Sequence, residues 1–330
     1  MSTESEFLVD ERLDSTSRKT ADAERQADTN HREAPLTEDH EGESRSPSSG
    51  SAVSDFFSSS EIFQRVLATA EDELNKPLSL LFWSGISAGL ALGLTFLARV
   101  IFTSVTPGDS SGLVGNLLYP IGFVLIVLGR YQLFTENTLT PLSLVLSRFA
   151  TLPDLFKLWG TVFAANMIGA VTISALVAFT SVLEPSARET AVKLGEESLK
   201  VSWGAIFYRS VIAGWLVAAM VWLVHSARDT ISRLFIIWII MYFVGAAHFF
   251  HVITSSVEVF FYAFDGHVDS LAFLPNFVAP VLLGNIFGGV VFVAVLNYAQ
   301  IGEESFEDYG ERLSWRAWLL GRRPKEVRKA

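Results

Sequence analysis

Cysteine is absent from this 330-residue chain, which excludes disulfides, thiolate nucleophiles and cysteine-ligated metal or iron–sulfur centres. Histidine is scarce: six residues, none in a His-x-x-x-His or His-Glu-x-x-His spacing, so a metal site has no ligand set. There is no basic stripe suited to phosphate backbones, and the formal net charge is -10, so nucleic acid is not an expected partner. A phosphate-cradling glycine loop and a nucleophile–base pair are also missing. The residues point away from an enzyme and from any cofactor. The first residues carry Glu4, Glu6, Asp10 and Glu11 and lack the apolar core of a signal peptide.

What the chain does have is hydrophobic sequence, 50% of all residues, unevenly distributed. Residues 1–57 are acidic, Ser-rich and poor in large apolar side chains, and read as a disordered cytoplasmic tail. Residues 58–77 read as an amphipathic helix: Ser58 and Glu61 fit a capping box, and Ile62, Phe63, Val66, Leu67, Ala70 and Leu74 recur on one face. Residues 78–298 are strongly apolar, and 299–330 form a basic cytoplasmic tail, with Trp315 and Trp318 suited to a membrane surface.

The apolar region divides into six segments, each full one near the roughly 20 residues that cross a bilayer. They run from Leu78 to Val105, Leu113 to Phe134, Phe156 to Val182, Ala205 to Val224, Thr230 to Phe250 and Leu271 to Tyr298. Arg99, near the end of the first, is expected to snorkel toward headgroups. The charged stretch Glu184 to Lys200 is read as a loop. Lys76, Arg148, Lys157, Arg228, Arg233 and the basic tail lie on one side, which places both termini in the cytoplasm of a multi-pass plasma-membrane protein.

The second and fifth segments are interrupted. Arg130 to Pro141 inserts an arginine, a glutamine, threonines, Glu136 and Asn137 at membrane depth, and the helix resumes from Thr138 to Phe149. The stretch around His248 and His251 interrupts the fifth, which resumes from Ser256 to Phe264. Polar backbone is tolerated there only inside protein or beside a water-filled cavity. The third and sixth segments share an Asn followed by Gly, Asn166 with Gly169 and Asn285 with Gly288, residues suited to close helix packing. The expected fold is therefore all-α: six transmembrane helices as two inverted three-helix repeats, with broken second and fifth helices and a substrate path where the breaks meet. Overlaying the breaks sets Leu133 against His251, Thr135 against Ile253 and Asn137 against Ser255.

At these residues the chain resembles the formate/nitrite transporter family. Tyr119-Pro-Ile-Gly122 followed by Leu133-Phe-Thr135 and Asn137 is similar to the family's second helix and its break. Trp159-Gly160 with Asn166 and Gly169 is similar to the third helix, and Gly284-Asn-Ile-Phe-Gly-Gly289 to the sixth. The resemblance covers Glu61 to Gln300 and implies an aquaporin-like protomer in a homopentamer within membrane lipid, passing small monovalent anions. It implies that His251 is a central, proton-linked histidine, that Thr135 is the threonine of the break, and that Leu133 and Phe134 form an apolar constriction. The chain departs from the family at Phe250, where a Glu is usual, and at Ser255, where an Asn is usual. It departs again at Arg130, Tyr131 and Gln132.

Chemically, Thr135 and Thr254 can donate hydroxyl hydrogen bonds to an anion, and His251 can donate from one ring nitrogen while neutral. His248, one turn earlier, is the competing central histidine. Arg130, Glu136 and Glu258 suggest either an anion attractor or an ion pair holding the broken helices. Two other readings remain: an aquaporin-like neutral-solute pore, against which stands the lack of Asn-Pro-Ala at either break, and a non-conducting membrane scaffold.

Overall fold

The computed structural model describes residues 56–109, 112–268, 271–302, 306 and 309–321. The acidic N-terminal tail, and the tail cations beyond residue 321, lie outside these. Among the described residues the chain is all helical, without strands.

The amphipathic helix α1 spans Ser59–Asn75. The Ser58 hydroxyl accepts from the Glu61 N–H, and the Glu61 carboxylate accepts from the Ser58 N–H at 2.7 Å. Both halves of a capping box are thus closed. Phe63, Val66, Leu67 and Ala70 are buried on the inner face. Replacing Ser58 with alanine is expected to cost about 1 kcal/mol of local helix stability. Hydrogen exchange at residues 59–63 should then rise several-fold while the spanning helices keep their protection.

Among the described residues, four helices have the length and composition to cross a membrane: α2 (Leu78–Val105), α5 (Leu152–Phe179), α7 (Trp203–Ser226) and α10 (Leu274–Ala299). α10 is not uniform, because π-helical turns occupy Leu274–Val278 and Val290–Val295. Between these four lie shorter pieces: α3 (Ile121–Gly129), α4 (Thr140–Leu146), α6 (Pro185–Leu199), α8 (Thr230–Ala246) and α9 (Val252–Tyr262). A final short helix, α11, spans Trp315–Leu320.

The tightest packing is pairwise, α2 on α5 and α7 on α10. In the first pair Gly89 faces the Asn166 carbonyl and the Gly169 backbone, and in the second Gly288 faces the backbone of Val211 and Trp215. A side chain at either glycine would meet backbone, so these helices approach as closely as small residues allow. The half-length helices cross between the pairs. α9 packs against α5 and α2, and α4 packs against α1 and the π-helical stretch Val290–Val295 of α10. Ser174 on α5 donates to the Val257 carbonyl on α9 at 2.9 Å.

Several elements differ from the sequence reading. The second apolar segment is regular only from Ile121, because Asp109 accepts the N–H groups of Val114 and Gly115 and Asn116 donates to the Gly112 carbonyl. Those side chains hold turns open, and Pro120 supplies no N–H to extend the helix backward. α5 begins four residues earlier than the apolar run, because Thr151 accepts from the Asp154 N–H and caps it. The charged stretch read as a loop is helix α6. Its Lys193–Glu197 and Glu196–Lys200 pairs lie one turn apart on the exposed side, while Ala187, Ala191 and Gly195 make a narrow buried face. That small-residue face carries too little hydrophobicity to register in hydropathy. α11 packs through one side: the Trp318 indole donates to the Val145 carbonyl at 2.7 Å, and Arg148 lies over the ring of Trp315, which stays exposed.

Candidate functional site

Two interruptions of regular helix meet in the interior. The chain leaves α3 through Arg130, whose φ of 56° is left-handed, and re-enters helix at Thr140. It leaves α8 through Ala247 and His248, whose φ of 53° is also left-handed, and re-enters at Val252. A second left-handed pair follows, Arg148 and Gly266, and in both pairs the later residue lies 118 positions after the earlier.

Each break is held by an asparagine from the next long helix. Asn166 on α5 donates to the carbonyls of Gly85 and Gln132 at 2.8 and 2.9 Å and accepts from the Phe134 N–H at 2.9 Å. Asn285 on α10 donates to the carbonyls of Ser210 and Phe250 at 2.8 and 2.9 Å and accepts from the Val252 N–H at 2.8 Å. Each amide thus replaces the helical partners that a break removes, at a depth where water cannot. Both side chains are fully buried. The four break groups they hold keep the register of the sequence overlay, Gln132 with Phe250 and Phe134 with Val252.

His251 caps α9 and is fully buried. Its Nδ1 accepts from the Thr254 N–H at 3.4 Å, with the Thr254 hydroxyl 3.3 Å away. An accepting Nδ1 places the proton of the neutral ring on Nε2, which is 2.7 Å from the Thr135 hydroxyl oxygen and donates to it. Thr135 then has its own O–H to offer elsewhere. The Phe123 ring stands edge-on to the imidazole at 5.0 Å. Leu133 and Phe134 are buried beside it, with Phe134 edge-to-face on Trp159 and Phe163. Asn137 is buried; its carbonyl accepts from the Trp159 indole, and its amide reaches the Gln132 side chain at 3.4 Å.

Two cavities approach this centre. One, of about 200 Å³, is lined by Arg99, Tyr119, Arg209, His248, Thr254, Ser255 and Glu258 among others. The second, of about 520 Å³, is lined by Arg65, Glu73, Arg130, Gln132, Glu136, Thr140, His225 and Arg233 among others. Thr135, His251, Leu133 and Phe134 line neither of these two.

The structure therefore sets His251 and His248 in different places: His251 between the breaks, His248 on the smaller cavity, where its Nδ1 accepts from Arg99 at 3.1 Å. The ion pair expected of Arg130, Glu136 and Glu258 does not form. Glu258 pairs with Arg99 at 2.9 Å and accepts from Ser198 on α6. Arg130 is exposed, because its left-handed backbone turns it out of the bundle toward the larger cavity. Arg99 is correspondingly not snorkelling; its guanidinium is held by the buried Glu258 carboxylate.

Sequence reasoning missed Glu73. It sits on the last turn of α1, buried, and accepts from the Thr140 hydroxyl at 2.6 Å. Burial pushes its carboxyl up to about 7, against the lowering effect of Thr140 and Lys76. Only its place on the inner face, one turn after Ala70, gives it away in the sequence. Glu136 lies half-buried on the same cavity, and its buried Oε1 has no hydrogen-bond partner among the described residues. Those residues include no cluster able to hold a metal ion.

Against known proteins, the family described as "Formate/nitrite transporter" matches residues 60–299. The chain is 31% identical over 243 residues to the inner membrane protein YfdC of Escherichia coli (strain K12), covering 73% of this chain and 78% of that protein. Among solved structures, an "FNT family ion channel" superposes with a TM-score of 0.66 at 20% identity, covering 73% of this chain and 99% of that one. A "pentameric formate channel with formate bound" superposes with a TM-score of 0.60 at 22% identity, covering 68% and 97% respectively.

Proposed function

Because the chain belongs to the formate/nitrite transporter family, an integral membrane family of channels and transporters, we propose that it conducts small monovalent anions of the formate and nitrite class through a path closed at its centre by His251 and Thr135. The observation that carries this reading is the 2.7 Å contact between those two buried side chains, one from each break.

The path runs from the Arg99 cavity to the Arg65 cavity through the constriction of Leu133 and Phe134. Along it the donors are Thr135, Thr254 and Ser255, with His251 capping the N-terminus of α9 beside them. Neutral His251 donates through Nε2; protonation of its Nδ1 would let the ring pass the Nε2 proton to a weak-acid anion, returning to a neutral ring while the acid crosses the apolar constriction uncharged. That is the proton linkage we assign to it.

The architecture we propose is six crossings arranged as two inverted three-helix repeats. The matching asparagine clamps and the left-handed pairs 118 residues apart support it. The interrupted pairs α3–α4 and α8–α9 supply the second and fifth crossings. We place α1, the Arg65 cavity and both termini on the cytoplasmic face of the plasma membrane and the Arg99 cavity outside, a placement that the distribution of basic residues supports. The pentamer of the superposed formate channel supports a homopentamer with one path per protomer.

The test is stopped-flow uptake of formate, nitrite, acetate and glycerol into liposomes carrying the full chain. Uptake of formate or nitrite, with an acid-stimulated rate and no glycerol flux, is the expected result. Glycerol flux without anion flux would replace this reading with a neutral-solute pore, and no flux of any solute would replace it with a scaffold.

A further inference from the structure

Four cations line the larger cavity. Arg65 comes from α1, Arg233 from the first turn of α8, Arg130 from the end of α3 and Lys76 from the end of α1. Arg228, in the turn before α8, lies outside this lining, over the Phe57 ring. The ring of Phe57 has the Arg65 guanidinium at 4.4 Å and that of Arg228 at 4.7 Å, so one aromatic side chain gathers two like charges. Arg65 feels the repulsion: burial, then Arg233, then Arg228 lower its pKa.

The carboxylates nearby leave Arg65 and Arg233 without an ion pair among the described residues. Glu73 accepts from Thr140, and Glu61 is engaged by the N–H and hydroxyl of Ser58. Among the described residues no ion pair joins Asp72, Glu73 or Glu136 to Arg65 or Arg233. Two guanidinium nitrogens are buried and have no acceptor among those residues, Nη1 of Arg65 and Nε of Arg233. The other end of Arg233 is fixed, with Nη2 donating to the Ala227 carbonyl at 3.1 Å. Thr69 is held one turn along α1 from Arg65, in contact with His225 at 3.0 Å. Planar guanidinium forks with unused donors match tetrahedral oxyanions.

We propose that this cavity is a binding site for a phosphate-type dianion, held between Arg65 and Arg233, that occludes the cytoplasmic mouth of the path. The occlusion rests on the conduction reading above, whereas the binding does not. The ligand chemistry is a phosphate monoester or inorganic phosphate, taken either from solution or from a lipid headgroup.

The experiment uses the full chain in nanodiscs of neutral phosphatidylcholine, with inorganic phosphate titrated against chloride at equal ionic strength. The expected result is a saturable rise in Tm that R65Q and R233Q each weaken by about tenfold or more, as loss of a charge-assisted hydrogen bond implies. R65K, which keeps the charge and loses the fork, should weaken it as well. K193Q, on the exposed side of α6, should not. Each variant's Tm in chloride shows whether it folds. A parallel arm adds phosphatidic acid to the nanodisc without free phosphate. Stabilisation there alone, still dependent on Arg65 and Arg233, assigns the ligand to lipid. No stabilisation in either arm, or stabilisation unchanged in both arginine variants, overturns the site. Formate efflux from liposomes loaded with phosphate should slow over the same concentration range. Phosphate that binds without slowing a measurable formate flux removes the occlusion and leaves the site. Phosphate binding with no formate flux at all indicts the conduction reading instead.

Discussion

Changing Gly288 to valine is expected to leave no folded protein. A Cβ at this position would lie 2.7 Å from the Trp215 amide nitrogen and closer still to the Val211 carbonyl oxygen. Both are backbone atoms of α7, which no rotamer change can move. α7 and α10 would have to separate, and Asn285, one turn before Gly288, would lose the Ser210 carbonyl it holds at 2.8 Å. Its bonds to Phe250 and Val252 depend on the same placement. Three buried hydrogen bonds would be strained, each costing about 1–3 kcal/mol when broken without a substitute. That loss rivals the roughly 5–15 kcal/mol by which a typical domain is stable. Size-exclusion of a fluorescent fusion in mild detergent should show aggregate in place of the wild-type peak. Asn285→Leu removes the clamp without the clash and should give a folded but heat-labile protein. A wild-type elution profile and Tm for Gly288→Val would refute the account of this packing.

The second large effect concerns transport. His251→Ala removes the ring that bridges the two breaks, and Thr135→Val removes the hydroxyl it meets at 2.7 Å while keeping the volume. A hydrogen bond to a charged group contributes about 1.5–3 kcal/mol. Losing such a bond to the anion at the proposed centre of the path should slow formate or nitrite uptake by about 10- to 100-fold. His248→Ala acts on the smaller cavity, where that ring contacts Arg99, and should alter entry far less. If His248→Ala abolished uptake and His251→Ala left it intact, the centre of the path would have to be moved to the Arg99 cavity. If neither mattered, the contact between the breaks would be structural alone.

The long apolar helices were legible because Leu78–Val105 and its three counterparts are long enough for hydropathy to average out their polar residues. The breaks were legible for the opposite reason: Gln132, Glu136 and Asn137 cannot sit in lipid. The pairing of His251 with Thr135 also had a sequence signal, since both fall in the interruption of corresponding segments. The partners of the charged groups were not legible. Arg99 and Glu258 are 159 positions apart and on different helices, and no local pattern joins them. Glu73 and Thr140 meet because α1 packs on α4, a contact that depends on how the chain closes. Helix α6 was hidden by its own salt bridges, whose charges read as a solvated loop.

The crossing half-helices have a mechanical corollary. α9 belongs by sequence to the second proposed repeat, yet packs on α5 and α2 of the first; α4 reaches the other way, onto α10. Each break is therefore a strap passed from one half of the molecule to the other, anchored by an asparagine at its root. Sliding the halves against each other would pull both straps, and the bond between Thr135 and His251 lies where they cross. One contact thus measures the width of the path and the alignment of the halves, so a chain severed in the turn between α6 and α7 should recover a path only when its two fragments are made together.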